Sequence, residues 1–416
     1  MRRGIGAMQR LSTGLLGTVV MVMSATQSVA AQTWEFVKDT IGDTVVVRTT
    51  AGSVWGEVKL VPELEIGVLE GAEEYVFGSV ATLAVGPDGS IYVFDAHGPV
   101  LRQYDAEGRY VRDVGRGGAG PGEYRAAGFG SLAVLRDGTV LLWDVGNRRI
   151  NRYTATGEVL PSWRAESGLL ENMYVDTAGH AYVKAQLHRP PSRRVGEREI
   201  FIEGVVPPTM CLLHYGPDGV FVDTVVSPPT IDLPERGPGR FAPKKSWAWS
   251  PLGYMIAGGA DRYSFDLYLA EHVLRVERVA EPATFHGEER QEWEDQWQWQ
   301  KRRGARWEEP PLPSTKPFYR YLLPADDGRI WVRRYVSAAK VDPGEIDTSR
   351  YPPGRPVITW REPTVYDVFE PDGRYLAQIT MPPRTNLHAM RGDRVWGVRY
   401  GDLDEAYVVR WRIERR

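Results

Sequence analysis

The apolar positions of this chain fall in short runs with a two-residue alternation, not in the spacing of amphipathic helices. Residues 81–115 hold four such runs: Leu83–Val85, Ile91–Phe94, Val100–Tyr104 and Tyr110–Val114. Pro87-Asp88-Gly89 separates the first two, and Asp105 to Gly108 the last two. Asp-Gly and Glu-Gly steps between β-branched runs are hairpin signals, so the stretch predicts one four-stranded antiparallel sheet. A sheet of that size cannot bury both faces by itself and needs copies of itself as neighbours. Residues 131–160 are such a copy, with Leu132–Leu135, Asp137-Gly138, Val140–Trp143, Ile150–Tyr153 and Gly157 in the same order. Weaker copies begin at Met173, Trp247, Tyr319 and Leu387. The recurrence predicts an all-β chain folded as a six-bladed β-propeller.

The ends of the repeat predict how the ring closes. Glu65-Ile66-Gly67 followed by Gly71 to Tyr75 echoes Asp113-Val114-Gly115 followed by Gly120 to Tyr124. Residues 58–67 therefore read as a fourth strand. Its first three strands are Asn386–Met390, Arg394–Tyr400 and Ala406–Ile413, so the closing blade is expected to come from both termini. Such closure leaves no lateral edge. Trp34–Thr40 and Thr44–Thr49 flank a turn and predict a hairpin outside the repeat.

Four long excursions interrupt the later repeats: 186–209, 227–245, 280–317 and 336–361. All join strands 2–3 or 4–1 of a blade, whose loops emerge on one face; the turns of the other face stay short. Long loops in a compact domain are usually functional or disordered. Within the third excursion, Gly287 to Arg303 predicts a short helix inserted between blades four and five. Glu288, Glu289 and Glu292 open it, Lys301, Arg302 and Arg303 end it, and Gly304 stops it. Trp293 and Trp297 share a face and are expected to dock the helix, whereas Trp299 points elsewhere.

With LAVGPDGSIYVFD (83–95), LRQYDAEGRYV (101–111) and VGRGGAGPGEY (114–124), the chain resembles six-bladed propellers of the NHL-repeat type, and more closely a group of secreted bacterial six-bladed propeller proteins. The resemblance covers nearly all of 55–416. It implies the fold and says little about function, because propellers host unrelated activities.

Composition narrows the classes. Aromatic residues at 11% and hydrophobic residues at 42% suffice for a large core. The formal charge is −3, which falls to −6 if Arg2, Arg3 and Arg10 are removed. A chain so near neutrality offers no global field for nucleic acid or an anionic membrane. Residues 1–31 read as a secretory signal peptide: a basic start, the apolar run Leu15–Met23, and the small residues Ser28 to Ala31. The expected layout is signal peptide 1–31, hairpin 32–53 and propeller 54–416. A periplasmic or secreted monomer without a transmembrane segment after cleavage follows from it. Cys211 is the only cysteine, so no internal disulfide forms, and its apolar run places it in the core.

The candidate chemistry is sparse. Gly115 to Gly120 resembles a phosphate-cradling loop but is followed by a strand, not a helix, and reads as a blade crossing. Asp95 and Asp144 end second strands and read as turn caps, although Ca²⁺-binding propellers place Asp and Asn around the channel; Asn147 and Asn172 could join them. The seven histidines show no metal-pair spacing. No Gly-x-Ser-x-Gly elbow occurs. The reading is a propeller that binds a ligand or protein partner through the built-up face of blades three to five, with Trp299, Trp307, His188, His286, Arg333 and Tyr335 as contact candidates. No cofactor is expected. A metal-dependent lactonase or lyase using Ca²⁺ or Zn²⁺ at the channel mouth, and a purely structural propeller, stay open as alternatives.

Overall fold

The computed structural model describes residues 34–125, 131–164, 170–186, 192–195, 198–201, 210–228, 231–234, 239–304, 310–349 and 351–416. The segment read as a signal peptide lies outside them. The described chain forms an all-β propeller of six blades. Blade one spans Val80–Val85, Ile91–Asp95, Val100–Tyr104 and Tyr110–Asp113 in spatial order, and blades two to five repeat that meander. In the sixth sheet, Thr385–Arg391, Arg394–Tyr400 and Ala406–Arg415 are followed by Val58–Ile66, which runs antiparallel to the C-terminal strand from Val58↔Arg415 to Ile66↔Val408.

The alternation in the sequence has a direct structural reading. Ile91 to Asp95 is buried at every position, because its two faces meet two neighbours. Ile91 and Val93 pack with Trp396 and Val408 of blade six. Tyr92 and Phe94 pack with Leu132, Val140 and Leu142 of blade two. Leu141 and Trp143 then turn to Val183 and Cys211 of blade three, which puts Cys211 in the core. Each junction between blades holds one such cluster, so the core is a ring of six wedges. Apolar burial at about 25 cal/mol per Å² makes each wedge a large stabilising term.

One feature adds to the sequence reading and one departs from it. First, the N-terminal hairpin docks on a blade. Glu35–Ile41 pairs with Thr44–Ala51, which lies parallel to Val273–Arg278, the outer strand of blade four, and makes that sheet six-stranded. The chain then crosses the outer strand of blade five, where Val54 N–H donates to Tyr375 O (3.1 Å) and Trp55 N–H to Leu376 O (2.8 Å). Residues 35–66 thus strap together blades four, five and six.

Second, a short helix inserted between blades four and five does not describe the molecule. That junction is filled by side chains of the sheets themselves, among them Phe265, Tyr319, Val332 and Phe369. Helix α1, Gly287–Arg302, is 16 residues long and lies over the built-up face, where its bonds run to blade five's own excursion. No helix among the described residues is long and apolar enough to cross a membrane.

Candidate site on the built-up face

Helix α1 begins where its sequence says it should. His286 Nδ1 accepts from Glu288 N–H (3.4 Å), and Glu289 Oε2 accepts from His286 N–H (3.2 Å). This reciprocal cap satisfies two donors that a helix start leaves open. Acidic residues fill the first turn, basic residues the last, and Gly304 follows at φ 85°, where a side chain would be strained.

The docking of the helix differs from expectation. Trp293, Trp297 and Trp299 are all only partly buried. The buried helix residues are polar: Glu289 at 2% exposure and Gln296 at 3%. Glu289 Oε1 accepts from Lys316 Nζ (2.6 Å), which is itself 1% exposed. Lys316 also donates to Glu362 Oε1 (3.0 Å), and Arg320 Nη2 donates to Glu362 Oε2 (3.1 Å). Two cations and two carboxylates therefore balance under the helix start. Farther along, Glu292 accepts from Thr359 N–H (2.7 Å) and Thr359 Oγ1 (2.6 Å), and Arg355 donates to the Gln296 amide oxygen (2.8 and 3.1 Å). Charge-assisted bonds of this kind fix orientation more strictly than apolar contact does.

Beside the network stands Phe241, 3% exposed, from the excursion before blade four. Its ring meets Phe285 (4.8 Å), Trp293 (5.6 Å) and Tyr335 (5.7 Å). Arg240 lies over Trp293 at 4.4 Å. Three excursions thus converge: 239–241, the helix segment, and 339–361. The first two leave a cleft of about 200 Å³ between α1 and Pro310–Leu312. Phe241, Trp293 and Trp297 form its apolar lining, and Arg240, Gln300 and Lys301 are among the polar groups around them.

The expected contact residues are distributed unevenly. His188 and Trp307 lie outside the described residues. His286 caps α1 and stacks on Trp360 at 4.2 Å. Arg333 is 9% exposed and donates to the carbonyls of Arg334 (3.1 Å), Pro363 (3.3 Å) and Val365 (3.2 Å), so it holds a blade-five connection. Tyr335 donates to Arg240 O (3.3 Å) and supports Phe241 from below the cleft. Trp299 is not part of the cleft lining; it faces Gly354 and carries Arg303 over its ring at 5.1 Å. Sequence reasoning missed Phe241, Lys316, Glu289 and Glu362. Only Glu289 carried a signal, as an acid in a helix first turn.

The remaining candidates resolve into structure. Asp144 accepts from Arg125 N–H (2.9 Å), Asn147 N–H (3.2 Å), Asn147 Nδ2 (2.6 Å) and Asn151 Nδ2 (3.2 Å), which fills its lone pairs. Asp95 caps Gly78, Ser79 and His97 in the same way. In the Gly-rich crossing, Gly120 N–H donates to Glu123 Oε2 (2.7 Å), so the chain's own carboxylate occupies the place an anion would take. Among the described residues, no three His, Cys, Asp or Glu side chains come together as a metal site.

The first strands of all six blades line a central channel of about 300 Å³. Asn172 and His388 face it, and Asp326 stands at its lining in contact with Arg391 (2.8 Å). Desolvation by the surrounding sheets pulls the His388 imidazole down to about 4. Its ordinary value is near 6.5, so between about pH 6.5 and 4 the unfolded chain binds a proton that the native chain does not. Stability should therefore fall as pH drops through that window. In urea titrations at pH 7 and 4.5, His388→Asn should show a smaller loss than the parent; equal losses would assign the acid sensitivity elsewhere.

No family model and no curated protein matches the sequence. Among solved structures, the chain is similar to a Bacteroides fragilis protein described as exported, at 8% identity and a TM-score of 0.49 over 89% of this chain and 99% of that one. It is similar to a DUF4221-family member from Bacteroides vulgatus at 10% identity and 0.47, over 86% and 99%. A gluconolactonase from Xanthomonas campestris is similar at 12% identity and 0.37, over 94% of both chains.

Proposed function

We propose that this chain is an extracytoplasmic binding protein whose working surface is the built-up face, at the cleft between α1 and Pro310–Leu312. One observation carries this reading: a buried ionic anchor, Lys316 with Glu289 and Glu362, fixes the excursion that carries α1, which together with Arg240 and Phe241 presents Phe241, Trp293 and Trp297 beside polar side chains. Apolar clefts with a few placed polar groups are the usual form of a ligand site, and aromatic side chains dominate binding energy. The anchor sets the helix rigidly, so little ordering has to accompany binding. The leader-like start at 1–31 supports an extracytoplasmic location. The alternative of a metal-dependent lactonase or lyase would have its site at the channel, where Asn172, Asp326 and His388 stand.

The test is recovery of partners from a native envelope extract on immobilised protein. Trp297→Ala should fold as the parent does and lower the recovered yield about tenfold or more, the scale of one aromatic anchor. Trp299→Ala, outside the cleft, should lower it less. Equal recovery by the parent and Trp297→Ala would remove the cleft from consideration.

A further inference from the structure

A second, separate site lies on the outer rim between blades four and five, under the strap that residues 52–58 make. Gly52 and Gly56 both take left-handed φ angles (63° and 67°) and turn the chain on either side of the bonds that tie Val54 and Trp55 to blade five. The arch leaves a cleft of about 400 Å³ lined by Gly52, Ser53, Glu57, Arg278, Tyr375 and Gln378, among others.

Behind that cleft sits Asp367, 0% exposed. Its Oδ2 accepts from Arg278 Nη1 (2.8 Å), Arg334 Nη1 (2.8 Å) and the Tyr263 hydroxyl. Its Oδ1 accepts from the Tyr375 hydroxyl (3.1 Å) and Gln378 Nε2 (3.3 Å). The carboxylate is therefore saturated, and two guanidinium groups share its single negative charge. Arg334 turns inward, with Nε on Phe318 O (2.9 Å). Arg278 turns outward: its side chain is 21% exposed, and Nη1 on Asp367 is its one hydrogen bond among the described residues. Glu57 at the rim is engaged by Arg416 (2.8 Å). The Arg278 guanidinium lies over the Tyr375 ring at 4.2 Å and shares Asp367 with Arg334, which holds its plane fixed; a partly desolvated fork held in this way suits an oxyanion.

We infer that this arch is an oxyanion subsite, in which Arg278 would hold a small carboxylate or phosphate with help from the polar lining at Ser53 and Gln378. It stands apart from the α1 cleft and does not depend on the reading given for that cleft.

Calorimetric titration of the whole protein with inorganic phosphate and, separately, with acetate tests it, in chloride buffer of constant ionic strength. Saturable one-to-one binding of phosphate alone identifies a phosphoryl ligand; binding of acetate as well identifies a carboxylate-compatible site. Arg278→Gln should weaken either at least tenfold. Arg278→Lys, which keeps the positive charge on Asp367 but loses the planar fork, should also weaken either, and it decides the matter if Arg278→Gln does not fold. Absence of saturable heat with both anions, or undiminished binding by a folded Arg278→Gln or Arg278→Lys variant, overturns the proposal.

Discussion

A chain lacking residues 34–66 will not give a soluble monomeric ring. Three losses coincide in that deletion. The C-terminal strand Ala406–Arg415 loses its partner along Val58–Ile66 and becomes the bare outer edge of a three-stranded blade six. Arg394, Arg410 and Arg412 lose Glu63, whose carboxylate lies 2.9, 3.4 and 3.0 Å from them. Burial alone would raise the Glu63 carboxyl, but the hydrogen bond from Arg394 and the three guanidiniums hold it below its ordinary range. The wedges also lose Ile66 and Trp55, both buried. A long exposed edge is a template for pairing with other chains, so aggregation is the expected result. Deleting only 34–51 is the informative control. It removes the hairpin from blade four but leaves the sixth sheet complete, and should give a monomer of lower melting temperature. Light scattering after size-exclusion chromatography separates the two outcomes. If the longer deletion elutes as a monomer with an unchanged melting temperature, the strand at 58–66 does not close the ring.

Lys316→Ala should destabilise the fold by about 3–5 kcal/mol, the scale for removing one partner of a buried ion pair. Glu289 would then lie buried with no cation within bonding distance, while Glu362 would keep Arg320. The asymmetry gives a further expectation. Combining Lys316→Met with Glu289→Gln should recover much of the loss, because the uncompensated buried charge is gone. Urea unfolding of the parent, both single variants and the double variant forms a cycle that measures the coupling. A loss below about 1 kcal/mol for Lys316→Ala would mean that water reaches the network and that α1 is held mainly by Glu292, Gln296 and its aromatic contacts.

Much of the architecture is written in local pattern. The Asp-Gly turns and the two-residue alternation specify strands, and their recurrence specifies blades. A blade strand buried on both faces sends odd and even residues to different neighbours, so Ile91–Asp95 and Val140–Asp144 are apolar almost throughout. The caps of α1 are equally local, since they involve residues within one turn of each other. Where the helix rests is not local. Lys316 stands in a Pro-, Ser- and Thr-rich loop that reads as solvated, and it is buried only because Glu289 and Glu362, 27 and 46 residues away, converge on it. The pairing of Thr44–Ala51 with blade four is likewise a matter of which outer edge lies within reach. An edge strand offers unpaired backbone groups without regard to sequence, so alternation can predict the hairpin but not its partner. The sequence determined the repeating unit and the helix ends. The tertiary structure alone decided where charges meet, which edge the N-terminus covers, and therefore where both clefts open.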